Sequence, residues 1–481
     1  MGEALLKVAD VTKTFADVTA LSTVSVDFNA GEVVGLVGGN GAGKTTLLRL
    51  LCGLYQPSTG TVRGIVDENP VDIHKMREHV GVVPEATGLY ARLTAWENIR
   101  YHSRLNGIDD DMAWTRTERF AKLLNFDQDL HRSTRGFSRG MRQKTALLRA
   151  LSHGPKILLL DEPTGVLTPQ ESDELFRIFE ALKKQGVTII LITHKLREIM
   201  SITDYVSVMR AGKMVAHRQT SETNPEELAE LMIGRKVLLN IVRTEAKSGD
   251  PLLIANNLEI YNEQGIKRVS EVSFEARSGE ILGIAGVTGN GQGTLLKALA
   301  GILPLSKGSI EILGETISPK RHLNPQELRN LGVAHVPEDR QRMGIISDFS
   351  ASESALLGYQ NDKEINQGVW LKRSSVKANC ESIMEAFDVR PTNPDLKSSN
   401  FSGGNQQKLI LAREFERDPE VLIIGQPTRG VDIGAIEFIR KRIIKMRDAG
   451  KAIILISVEL EEIMSISDRI IVMCDGVITG T

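Results

Sequence analysis

The sequence predicts an α/β fold written twice in tandem, each copy built around a mainly parallel sheet. Three observations predict it. A glycine-rich loop, Gly38-Gly39-Asn40-Gly41-Ala42-Gly43-Lys44-Thr45, returns as Gly286-Val287-Thr288-Gly289-Asn290-Gly291-Gln292-Gly293. An apolar run, Leu158-Leu159-Leu160-Asp161-Glu162-Pro163-Thr164, returns as Leu422-Ile423-Ile424-Gly425-Gln426-Pro427-Thr428. Each copy also alternates apolar strand-like runs with amphipathic helical ones, the pattern of parallel βα units. The loops stand 286 − 38 = 248 residues apart, and the later pairs Ser138/Ser402 and Asp161/Gly425 stand 264 apart. The second copy therefore carries 264 − 248 = 16 extra residues between its loop and its serine element. Similarity at such a long period means two domains of one fold, not a solenoid. The expected domains are 1–236 and 251–481, joined by a short polar linker, 237–250.

A length of 481 residues allows two domains that each bury a core. Hydrophobic and charged contents of 41% and 25% fit a soluble globular chain, and a net charge of −2 gives no sign of a nucleic-acid-binding face. No nucleic-acid partner is expected. Cys52, Cys380 and Cys474 lack metal-type spacing and read as packing residues of a reduced compartment. Met1 to Leu6 does not open a signal peptide, and no apolar run approaches the ~18 residues of a membrane span. Any membrane role must come through partners.

In chain order, Glu32–Val37 reads as the strand entering the first loop, and Thr45–Leu51 as the helix leaving it, stopped at Gly53. The second copy repeats this as Glu280–Ala285 and Thr294–Ala300, stopped at Gly301. The first loop has the phosphate-binding form G-x-x-x-x-G-K-[ST]. Gly38, Gly41 and Gly43 let backbone N–H groups turn inward around phosphate oxygens, and the following helix points its positive end at them. Lys44 supplies a point charge for β- and γ-phosphates, and the Thr45 hydroxyl can ligate Mg²⁺. Asn40 and Thr46 flank these residues and count as nucleotide-contacting positions. Asp161 ends an apolar run, so it sits at the carboxyl edge of a buried strand, where α/β sheets place ligands. There it would hold Mg²⁺ through water, and Glu162 would orient or deprotonate the attacking water. The second copy has Gln292, Gly293, Gly425 and Gln426 at these four positions. Its glycines remain and its chemistry is gone.

Phe137-Ser138-Arg139-Gly140-Met141 and Phe401-Ser402-Gly403-Gly404-Asn405 each precede a helical run. A serine–glycine element shortly before an acidic strand end, together with a phosphate loop, resembles the ABC-type ATPases. The resemblance implies two P-loop ATPase domains, each with a parallel core, an antiparallel β part and a helical subdomain. In that family the two domains pack head to tail, and each serine–glycine turn caps the nucleotide held by the other. Ser402, Gly403 and Gly404 would then complete the site of Lys44, Thr45, Asp161 and Glu162. Ser138 and Gly140 would serve the stripped one. His194 matches the family's switch histidine, and Val458 stands in its place in the second copy. Phe15 matches the aromatic that stacks on adenine, with Tyr261 as a poorer counterpart; core packing remains open for both. The family's interface glutamine is Glu85 in one copy and Glu338 in the other, and the D-loop acid is Thr168 in one and Asp432 in the other.

The degenerate run Gly-Gln-Pro-Thr-Arg-Gly-Val-Asp-Ile-Gly-Ala at 425–435 resembles the energising subunit of bacterial sugar and nucleoside importers. His335-Val336-Pro337-Glu338-Asp339-Arg340 and Thr168-Pro169-Gln170-Glu171 resemble the nucleoside branch. The resemblance implies ATP and Mg²⁺ as cofactors, two membrane-spanning permease subunits, a substrate-binding protein met indirectly, and a place on the cytoplasmic face of the cell membrane. Two segments, Gly88-Leu89-Tyr90-Ala91-Arg92-Leu93-Thr94-Ala95-Trp96-Glu97-Asn98 and Phe137-Ser138-Arg139-Gly140-Met141, look more like single-domain exporter ATPases. A soluble twin-ATPase translation factor is the other alternative; it usually needs a long charged linker and two competent sites. The second copy stops at Thr481, near the equivalent of Lys213, so a shortened C-terminus is expected.

Overall fold

The structure is a computed structural model. It describes every residue except 1–3, 17, 67–68, 74, 85–86, 165–168, 194, 237–243, 288, 363–364, 368–369 and 432. The chain forms two compact units, 1–237 and 238–481.

The first unit has a six-stranded sheet in the order Lys213–Gln219, Tyr205–Arg210, Val33–Gly38, Thr188–Ile192, Ile157–Asp161, Val80–Val83. Every pairing is parallel except the first. Its central strands are apolar throughout because both faces are covered. Ile157 and Leu159 pack with the loop helix and with an antiparallel sheet of Val18–Asn29, Ala4–Phe15, Thr59–Val66 and Asn69–Asp72. Leu158 and Leu160 point the other way, into a helical part containing Ala95–Leu105, Asp110–Leu123 and Arg139–Leu151. The period-2 alternation of strand side chains thus divides one strand between two cores.

The second unit repeats the plan. Its six-stranded sheet runs Val333–Val336, Val421–Gly425, Ala452–Ser457, Glu280–Ala285, Arg469–Cys474, Val477–Gly480, parallel except at the last pair. Val421 and Ile423 face one core; Leu422 and Ile424 face the other. A hairpin of Asn366–Gln367 and Trp370–Leu371 precedes the helix Arg373–Ala386 and takes up part of the 16 extra residues. The first unit has Ala95–Leu105 leading directly to Asp110–Leu123 at that place.

Element edges move by a residue or two from the sequence reading. The loop helices span Lys44–Leu51 and Gln292–Leu299, the second starting two residues before the expected Thr294. Gly43 and Gly291 cap them in the left-handed conformation, so helical geometry begins immediately after the glycine. Of the expected linker, residues 237–243 lie outside the described residues. Thr244 already belongs to the second unit, where the buried Arg447 donates from Nη2 to its carbonyl at 3.1 Å and its hydroxyl at 2.9 Å. The exporter-like stretch around Thr94 has a local physical cause. Thr94 Oγ1 accepts from Glu97 N, Glu97 returns a carboxylate to Thr94 N, and Asn98 bonds back to Tyr90. Ser350 and Glu353 build the same capping box at the corresponding helix of the second unit. That stretch is a helix start common to both halves.

Candidate functional site

In the first unit the sheet delivers the loop and the acidic strand end to one place. Val33–Gly38 is separated from Ile157–Asp161 by one strand, so both carboxyl ends open on the same edge. Gly43 turns the chain with φ +99°, and a Cβ there would meet Ala20 O and Leu21 Cδ2 at 2.7 Å, so no other residue fits. Beyond it the helix opens at Lys44, whose Nζ donates to Gly38 O at 2.6 Å and to Gly39 O at 3.0 Å. The ammonium therefore lies over the loop, within reach of an anion cradled there. Thr45 Oγ1 donates to Asp161 Oδ2 at 3.4 Å, joining the loop to the strand end. These hard oxygen donors suit Mg²⁺. Thr46 is half-buried in the same turn, and Asn40 and Gly41 are exposed at the loop's crest.

Glu162 follows Asp161 with φ 50°, a left-handed residue that is not glycine, and its N–H donates to Ile192 O at 2.9 Å. Gln426 repeats both features, with φ 49° and a 2.8 Å bond to Ile456 O. A backbone state that costs about 1–3 kcal/mol is thus retained in both halves, and only the first half puts a carboxylate on it. His194, Glu85, Thr168 and Asp432 lie outside the described residues. Phe15 is 40% exposed and packs edge-on against Tyr55 at 5.3 Å, with Lys13 Nζ 5.0 Å above its ring. Phe15 is exposed while Tyr55 is half-buried against the core, so the Phe15 ring keeps a solvent-facing surface on which a base can stack. Tyr55 was not legible in the sequence because it lies outside every motif.

Ser402 caps the helix Gly403–Phe415, accepting at Oγ from Asn405 N at 3.4 Å and from Asn405 Nδ2 at 3.0 Å. Ser138 caps Arg139–Leu151 in the same way, from Met141 N at 3.2 Å. Gly404 is buried, and Gly403 is half-buried at the helix start.

The second unit keeps a cleft of about 410 Å³ at the matching place, lined by residues that include Gly291, Gln292, Gly293, Glu338, Gln426 and Val458. Gln292 folds over its loop as Lys44 does, with its amide nitrogen against Gly286. A Cβ on Gly293 would meet Glu338 Oε2 at 2.7 Å, and one on Gly425 would meet Glu338 N at 3.0 Å. The Glu338 segment thus lies against the positions of both missing side chains. No single-copy motif signals this; only the two copies read side by side do.

Behind each site sits a buried carboxylate. Glu198 accepts from Thr164 at 2.6 Å and Thr193 at 3.2 Å, with Lys195 Nζ at 3.4 Å. Its counterpart Glu462 has Glu459 where the lysine was. Burial pushes Glu462 up to about 7, opposed by hydrogen bonds from Ser457 and Thr428; Glu459 adds to the rise and Arg440 works against it. A raised carboxyl favours the protonated form, so its contribution to stability is full below the unfolded value of 4.5 and is lost as pH rises through about 7. Glu462→Gln should therefore match the parent in thermal unfolding at pH 4 and exceed it above pH 7, by up to about 3 kcal/mol. Parallel pH profiles for the two proteins would refute this.

The family model described as ABC transporter matches residues 21–165 and 269–429, once in each unit. The nucleoside import ATP-binding protein NupA of Lactococcus lactis is 38% identical over 487 residues, covering 99% of this chain and 95% of that protein. The guanosine import ATP-binding protein NupO of Bacillus subtilis is 38% identical, over 98% and 93% respectively. The glucose import ATP-binding protein TsgD13 of Haloferax volcanii is 36% identical, over 98% and 92%. Likeness of this extent, joined to a phosphate loop facing an acidic strand end, places the chain in the ABC transporter family as a twin-cassette ATPase.

Proposed function

We propose that the chain is the ATP-hydrolysing subunit of an importer for nucleosides or simple sugars, with one competent ATP site. The observation that carries this reading is the contrast between two clefts of one backbone. In the first unit Lys44, Thr45, Asp161 and Glu162 gather on one sheet edge; in the second, Gln292, Gly293, Gly425 and Gln426 take their places. The loop amides and Lys44 bind the β- and γ-phosphates of ATP, and Phe15 with Tyr55 offers a face for adenine. Thr45 and Asp161 hold Mg²⁺, which when bound offsets phosphate charge. Glu162 positions a water in line with the γ-phosphate and takes its proton; the family pattern assigns His194 a γ-phosphate contact and Glu85 the interface-loop position, and both lie outside the described residues. Ser402, Gly403 and Gly404 from the second unit complete the site, presenting a helix N-terminus to the γ-phosphate.

The names of the relatives support import over export and favour nucleosides, with simple sugars as the neighbouring class. Among the described residues no helix is long and apolar enough to cross a membrane. Transport therefore needs membrane-spanning partners: two permease subunits, with this chain on their cytoplasmic face and a substrate-binding protein acting through them. The test is ATP turnover by the chain reconstituted with its co-purifying membrane proteins and binding protein. Turnover should rise several-fold with a panel of nucleosides and pentoses. A complex stimulated by none of these, or one that carries substrate outward, would overturn the reading.

A further inference from the structure

One side chain of the second unit lies where three functional segments meet, and neither the loop chemistry nor the signature accounts for it. Arg340 opens a single wide turn, Arg340–Gly344, closed by Ile345 N–H on Arg340 O at 3.0 Å and capped by Asp339. Turns of this i+5 type are rare and concentrate at functional sites. From there Arg340 Nη1 donates at 2.7 Å to the carbonyl of Arg429, in the turn that follows the strand Val421–Gly425. The guanidinium also comes up against Gly403. A Cβ on that glycine would run into Nη2 and come within 3.1 Å of Cζ. One planar fork therefore touches the segment of Glu338, the serine–glycine turn and the turn leading to Asp432.

The far end of the same helix is tied to the same loop. Arg413 Nη1 donates to Gly344 O and Ser354 O, both at 2.9 Å, and Gly344 packs against Ile410 at 2.6 Å from an ideal Cβ. The first unit keeps this distal tie, with Arg149 bonding to Thr87 O at 2.8 Å and Gly88 O at 3.1 Å. It lacks the proximal one. Its loop from Glu85 to the capping Thr94 is three residues shorter than that from Glu338 to Ser350, 9 steps against 12, and its sequence from 85 to 91 holds no arginine; its helix has the exposed Arg139 where the second unit has Gly403. The two halves differ as a pair: the half with an arginine two residues after Glu338 has glycine on the helix, and the half with arginine on the helix has none from 85 to 91. A cation beside a helix N-terminus works against the helix dipole, so Arg340 is not placed there to stabilise that helix.

We propose that Arg340 is a positioning residue that sets the Ser402–Gly403 turn for ATP hydrolysis at the Lys44 site. This rests on the composite-site reading above, in which the second unit's signature serves the competent site. The asymmetry then has a cause: the half whose signature faces working chemistry carries the clamp, and the half whose signature faces the stripped cleft has lost it. A guanidinium suits the place because one nitrogen donates to the Arg429 carbonyl while another reaches Gly403; the single nitrogen of an ammonium can occupy only one of these positions.

The test is steady-state ATPase of the full chain with its membrane partners. Arg340→Thr removes the guanidinium and leaves a small polar side chain on the turn. Its kcat should fall at least tenfold while the affinity of ATP for the Lys44 loop stays within twofold. Arg340→Lys should recover part of the loss, and the unfolding temperature of both should stay near the parent's, which separates positioning from a structural defect. Ser402→Arg, assayed alongside, reports on the composite site itself. If Ser402→Arg is inactive and Arg340→Thr keeps more than half the parent's kcat, the clamp is refuted and the composite site stands. If Ser402→Arg turns over normally, the composite reading falls and the clamp falls with it.

Discussion

Glu162→Gln should leave the protein able to bind ATP and nearly unable to hydrolyse it. The left-handed turn at Glu162 and its bond to Ile192 O are backbone features, and Gln426 shows that glutamine occupies the same turn without distortion. The substitution therefore removes a proton acceptor and little else. Loss of a general base costs about 10²–10⁴ in rate. Because the second cleft has glutamine already and lacks Lys44, Thr45 and Asp161 equivalents, it cannot take over. Phosphate release at saturating Mg-ATP should fall at least ~100-fold, with nucleotide affinity within a few-fold of the parent. Retention of more than about a tenth of turnover would remove Glu162 from its role.

Arginine at the two capping serines should separate the halves. Ser402 and Ser138 do the same structural work, each accepting from the third amide of its helix, at 3.4 and 3.2 Å. Losing either cap costs the fold about 1 kcal/mol, so the structural penalties match. The functional ones do not. If the signature of the second unit serves the Lys44 site, as proposed, Ser402→Arg removes a preorganised helix terminus from it, and the loss of such donors costs about 10²–10³ in kcat. Ser138→Arg alters only the side facing the stripped cleft and should lower turnover no more than about threefold, far short of that loss. Equal losses from both substitutions, read as ATPase rates of matched preparations, would mean that the sites are not shared between domains.

Much of the fold and of the first site was legible in the sequence because the physics there is local. A parallel strand buried on both faces must be apolar throughout, so Leu158–Leu160 announced both the strand and the edge on which Asp161 stands. A loop that wraps phosphate needs glycine at fixed steps, so Gly38, Gly41 and Gly43 announced the cradle. The exporter-like stretch around Thr94 misled because a capping box leaves the same imprint on any helix that needs one. What stayed hidden depends on distant side chains meeting. Tyr55 beside Phe15, Glu338 filling the space beside Gly293 and Gly425, and Arg340 on Gly403 join residues that no motif connects.

Glu338 also stands in the way of repairing the second site. Threonine restored at position 293 would press on its carboxylate, and aspartate restored at 425 would meet its main chain and Leu296. The two contacts differ in firmness. The carboxylate met at 293 ends a flexible side chain and can swing aside, whereas the main chain met at 425 must give by a few tenths of an ångström. Rebuilding the second cleft would therefore ask a rotamer change of Glu338 at one position and a backbone shift at the other.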